Sequence, residues 1–125
     1  MEIEEFLLCD SAVDHEGRLS VSKAFDTLLA RKMPVVHPAA AIALHVRFGK
    51  AEEGNHPIRI CIIDQDGKEI GPKMMGDLSV HVGHNMDSVA VNLVANLQKL
   101  LFQRYGQYRI DLAIDGQIKA HLPLK

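Results

Sequence analysis

The chain has no tryptophan, only four phenylalanines and two tyrosines. So few rings do not make a base-stacking platform. The formal net charge is −2 with both signs scattered, so there is no basic block to attract phosphates. The expected partners therefore include no nucleic acid and no membrane. No apolar run approaches the roughly 20 residues of a membrane span. The opening M-E-I-E-E is acidic where a secretory leader is basic. Phosphate loops, G-x-S-x-G, H-E-x-x-H and paired C-x-x-C are all missing. No catalytic residue and no cofactor is assigned, and the chain is read as non-enzymatic. Cysteine is scarce too: Cys9 lies in F-L-L-C and Cys61 in I-R-I-C-I-I. Both read as buried free thiols of a reducing compartment, which places the chain in the cytoplasm; a Cys9–Cys61 disulfide is the alternative.

What is present is a 125-residue chain, 47% hydrophobic and 24% charged, enough for one globular domain spanning 1–125. Its dominant signal is alternation. Tyr108, Ile110, Leu112 and Ile114 fall on one face, and Arg109, Asp111 and Ala113 on the other. Asp115-Gly116 then turns the chain, and Ile118, Ala120 and Leu122 resume the pattern. A two-residue loop would set Ile114 against Gln117. A three-residue loop pairs Leu112 with Ile118, Ile110 with Ala120 and Tyr108 with Leu122. The parity predicts an odd-length loop with Gly116 in a left-handed bulge. Pro123 marks the last strand as an edge.

Similar alternation predicts strands over residues 5–13, 18–22 (continued over 24–30 after a bend), 39–48, 58–63 and 78–82. Pro34 and Pro38 frame one loop, and residues 49–56 form another. Residues 88–102 satisfy two periods at once. Leu93, Val94, Leu97, Leu100 and Leu101 have helical spacing, while Val89, Val91, Leu93, Ala95 and Leu97 alternate. The β-branched start and the neighbouring strands favour a strand; a helix would make the fold α+β. The expected class is all-β, a two-layer antiparallel β-sandwich of about eight strands.

Seven histidines are the main chemical resource. H-V-G-H followed by Asp87 offers His81, His84 and Asp87 as a metal-ligand set, provided a turn after Val82 brings them together. Glu52, Glu53 and His56 share one loop. His37 belongs at the other end of its strand, nearer Asp64 and Asp66, where D-Q-D-G reads as a β-turn or as half a calcium loop. On the strand over 39–48, Ala41, Ala43, His45 and Arg47 form the outward face. Its small, smooth alanines suit a partner surface; cover by the chain's own loop over 31–38 is the alternative.

Gly106-x-Tyr108-x-Ile110 has the spacing of the tyrosine corner of immunoglobulin-like domains, with Ile110 in place of the cysteine. That resemblance implies a bond from the tyrosine hydroxyl to backbone a few residues upstream; a plain half-buried core tyrosine is the alternative. The whole chain resembles a family of small bacterial proteins known only as a domain of unknown function. The resemblance rests on F-L-L-C-D (6–10), A-F-D-T (24–27), P-V-V-H-P (34–38), E-E-G-N-H (52–56), D-Q-D-G (64–67) and G-Q-Y (106–108). It implies an immunoglobulin-like β-sandwich and assigns no activity. The expectation is an interaction or structural module whose partner is a second copy of itself or another protein. A metal- or ligand-binding sandwich using loop histidines is the alternative.

Overall fold

The computed structural model describes residues 1–28, Lys32 and 34–124, without the side chain of Pro72. Eight strands follow in order: β1 (Glu2–His15), β2 (Arg18–Ala24), β3 (Val35–Gly49), β4 (Gly54–Ile63), β5 (Glu69–Val80), β6 (Ser88–Phe102), β7 (Tyr108–Ile114) and β8 (Gln117–Leu124). A single 3₁₀ turn, Lys50–Glu52, separates β3 from β4. There is no α-helix among the described residues. Two antiparallel four-stranded sheets, β2-β1-β3-β6 and β5-β4-β7-β8, pack face to face as an all-β sandwich. Between them Ile42, Leu44, Val46 and Phe48 of β3 meet Ile58, Ile60 and Ile62 of β4 and Ile110, Leu112 and Ile114 of β7. Period two in the sequence thus becomes one buried face per strand.

Residues 88–102 form a strand, paired with the whole of β3 from Val35–Phe102 to Gly49–Ser88. The helical spacing has a local cause. Val89 to Leu97 send alternate side chains to the core, and then Leu100 and Phe102 do so, a change of phase by one residue. The change falls at Lys99, whose φ is 54°. It lies between the pairs His37–Leu100 and Ala39–Gln98, opposite Pro38, which has no N–H to donate. Pro38 is therefore inside β3 and not at a loop boundary.

The β7–β8 turn differs from the expected odd-length loop. Asp115 and Gly116 have φ of 56° and 81° and make a two-residue turn, pairing Ile114 with Gln117. Positive φ at both positions is the primed geometry that matches strand twist. The parity conflict is resolved one step later, where Lys119 is skipped between the pairs Ala113–Ile118 and Leu112–Ala120. The bulge is thus at Lys119, and beyond it Ile110 pairs with Leu122 and Tyr108 with Leu124.

β1 belongs to the sheet only as far as Cys9, where its pairing with β3 ends; from there to His15 it pairs with β2 alone. This outer hairpin folds across the exterior of its own sheet. Ala12, Leu19 and Val21 pack onto Cys9, Ala41 and Ala43, and the tip reaches β6, where Asn92 Nδ2 donates to Asp14 Oδ1 (3.2 Å) and Gly17 O (3.1 Å). β2 stops at Ala24, and Phe25 N donates to Leu8 O. Residues 29 and 30 of the expected continuation lie outside the described residues, as do 31 and 33 of the loop proposed as a cover. β5 is longer than the expected strand over 78–82, because backbone pairing with β4 carries it through Gly76 to Met74 and resumes at Ile70 beyond a register shift at 71–73.

Candidate functional site

The alanine face is closed. Ala41 and Ala43 are 0% exposed beneath the β1–β2 hairpin, so neither offers a surface to a partner. Small side chains are there because the hairpin must lie close against the sheet. His45 and Arg47 are engaged as well. His45 Nδ1–H donates to Asn92 Oδ1, and its Nε2 lies 3.2 Å from Glu4. Arg47 Nε donates to Glu4 at 3.1 Å and its terminal nitrogen to Ser88 Oγ at 3.2 Å. These polar contacts clamp β1 and β6 to either side of β3.

His81, His84 and Asp87 are not brought together: among the described residues no three His, Cys, Asp or Glu side chains converge as metal ligands. Buried Val82 anchors the segment, its N–H donating to Glu53 Oε1 at 2.7 Å, while the His81 side chain beside it is 92% exposed. The Asp64 turn is occupied by its own backbone. Asp64 Oδ1 accepts from Asp66 N (3.0 Å) and Lys68 N (2.9 Å), and Arg104 pairs with both acids. The Lys68 N–H first, then that of Asp66 and the Arg104 charge, hold the Asp64 carboxyl below the usual range. A cleft of about 720 Å³ opens beside it, lined by Lys68, Lys99, Arg104 and Tyr108 among others. His37 does not join the acids; its ring lies 5.8 Å from Phe25.

At the opposite end of β3, His56 stacks on Phe48 at 4.8 Å. Its Nδ1 is 2.8 Å from Asp115 Oδ2 and its Nε2 is 2.6 Å from Glu52 O. Both partners are acceptors, so only the imidazolium satisfies both. The Glu52 carbonyl first, then the Asp115 carboxylate, raise this pKa above the ordinary value, against the effect of burial. The stabilisation is complete below the unfolded value of about 6.5 and is lost as pH rises through the raised folded value. Urea denaturation is therefore expected to show stability falling as the pH rises above about 6.5. His56→Gln should flatten that slope; an unchanged slope would assign it to another group.

Tyr108 makes the bond the corner predicts, its hydroxyl donating to Arg104 O at 2.7 Å. Gly106, at φ 147°, has no room for a Cβ without moving the Gln65 side chain. Tyr108→Phe is expected to cost about 1 kcal/mol in denaturant melts; no loss would mean water replaces the bond freely. Cys9 and Cys61 are free and buried, one in each sheet. Burial pushes both thiols up, and Cys9 donates to Ala41 O at 3.3 Å.

The feature not anticipated is the free edge of β6. Each sheet has two edges, and three are guarded. At that edge the stretch of β1 that β2 does not pair carries Glu2, Glu4 and Glu5, and β2 itself carries Arg18 and Lys23, the latter at φ 57°. β5 is broken by Gly71, Pro72 and Gly76. β8 carries its bulge at Lys119, then His121 and Pro123. Among the described residues β6 pairs only with β3, yet residues 88–98 contain no charge, glycine or proline. Its core-side residues Val89, Val91, Leu93 and Ala95 are only half-buried. The signal was in the sequence as an uncharged run between Asp87 and Lys99. Only the strand order shows that the run has an open side. No curated protein matches the chain. The model of a family of unknown function, DUF6941, matches residues 4–125, so the chain, as its F-L-L-C-D and G-Q-Y stretches suggested, belongs to that family.

Proposed function

We propose that this chain is a non-enzymatic interaction module of immunoglobulin-like build that engages a protein partner by strand addition at β6. The unguarded edge over 88–98 carries the reading, since an open apolar edge presents a row of unpaired backbone donors and acceptors. The immunoglobulin-like assignment is supported by strand order. With β1, β3 and β6 as strands A, B and E and β4, β7 and β8 as C, F and G, β5 falls at C′ beside C. Tyr108 then stands at the start of F, where the tyrosine corner belongs. Two buried free thiols suit a reducing compartment, and we place the module in the cytoplasm. The test is a photoreactive phenylalanine analogue in living cells, at exposed Asn96 on β6 or at Lys119 on the guarded β8 edge. Protein adducts are expected at 96 and not at 119. Equal yields at both positions, or none at 96, would remove the reading.

A further inference from the structure

We propose that the added strand is β6 of a second copy of this chain, antiparallel and centred on Leu93. The proposal rests on the strand-addition reading and adds the partner and the register. Residues directly opposite in an antiparallel ladder share a face, so a two-fold axis must pass through a residue position. Asp87 and Lys99 bound the uncharged run, and both are exposed. Centring on Leu93 brings Asp87 of each copy across from Lys99 of the other, just beyond the two ends of the extended Ser88–Gln98 run. A parallel arrangement sets Asp87 against Asp87 and Lys99 against Lys99, and centring on Asn92 or Val94 leaves both charges without a direct partner.

Between the charges the run matches itself. On the core side Val89 meets Leu97, Val91 meets Ala95, and Leu93 meets its own copy, so the half-buried side chains of β6 gain apolar cover. On the outer side Ser88 meets Gln98, Ala90 meets Asn96 and Asn92 meets Val94. The product joins the two sheets through β6-β6, with β1 and its folded-over β1–β2 hairpin at either outer end. The two-fold is closed, so assembly stops at a dimer.

Sedimentation of the purified chain at micromolar concentration is expected to give a dimer. Asp87→Lys should weaken it about tenfold or more, by losing two ion pairs and opposing like charges. Asp87→Lys with Lys99→Asp restores both pairs and should restore the dimer. For the register, a mixture of Ala90→Cys and Asn96→Cys chains should form an intermolecular disulfide on mild oxidation. Either variant alone should not, because like positions then lie six residues apart along the ladder, about 20 Å. A wild-type monomer, a double reversal that does not restore, or crosslinking of one variant as good as the mixture overturns the proposal. A monomeric purified chain whose residue 96 still yields adducts with another protein in cells sinks the self-pairing alone; absence of any adduct at 96 sinks the strand-addition reading too.

Discussion

Ala43→Glu is expected to lower the unfolding free energy by on the order of 4 kcal/mol. From the sequence, Ala43 reads as an outward-facing position, covered by a partner or by the chain's own loop over 31–38. In the structure it is 0% exposed, with Ala12, Leu19 and Val21 of the hairpin packed over its cluster. A glutamate there must either bury a carboxylate without a partner or lift the hairpin away. Lifting it breaks the Asn92 bonds to Asp14 and Gly17 and uncovers Cys9. Both routes are costly, and they are distinguishable. Urea melts followed by circular dichroism measure the total loss. Limited proteolysis near Gly17 reports the hairpin alone, since a detached turn is cut before the sheets unfold. A variant that melts with wild type would mean the hairpin does not cover β3 in solution.

The same position shows what the sequence holds and what it leaves out. Period two gives each strand its inner and outer side, so Ile42, Leu44 and Ile110 are placed in the core by alternation alone. What covers an outer face depends on where another element goes. β1 and β2 read as an ordinary hairpin, and nothing local says it leaves the sheet at Cys9. The β7–β8 turn went astray for a related reason. Parity demands one extra residue, and the sequence does not say whether the turn or the strand supplies it. Asp115-Gly116 is suited to a two-residue primed turn, so Lys119 took the bulge. β5 was missed beyond residues 78–82 because Gly71, Pro72 and Gly76 erase its alternation. Its backbone pairs with β4 regardless of side-chain pattern. The metal-ligand reading needed a turn after Val82 to bring His81, His84 and Asp87 together. Val82 takes the inward position instead, since one buried valine is worth more there than an exposed imidazole. The Tyr108 hydroxyl bond was legible because its requirement is local: a carbonyl four residues back.

Phe48→Ala is expected to cost about 3–5 kcal/mol, the range for deleting a buried aromatic from a packed core. Phe48 is 0% exposed and occupies the end of β3, where the core meets the His56 cluster. Its ring packs in the sandwich interior and against the His56 imidazole at 4.8 Å. The backbone on either side is held by pairing with β6, Phe48 to Val89 and Gly49 to Ser88, so the site has little freedom to collapse. Phe48→Leu, which keeps most of the volume, should lose much less, about 1–1.5 kcal/mol. The pH dependence separates packing from the polar cluster. His56 is held by Asp115 and the Glu52 carbonyl, neither of which Phe48 touches through a hydrogen bond. The Phe48→Ala loss should therefore be nearly equal at about pH 6 and pH 8, while the wild-type slope persists beneath it. If Phe48→Ala instead abolishes that slope, the ring is what positions His56 between its two acceptors, and the pair is one coupled unit. A loss under about 1 kcal/mol at either pH would place Phe48 outside the core and remove the packing account of this end of the sandwich.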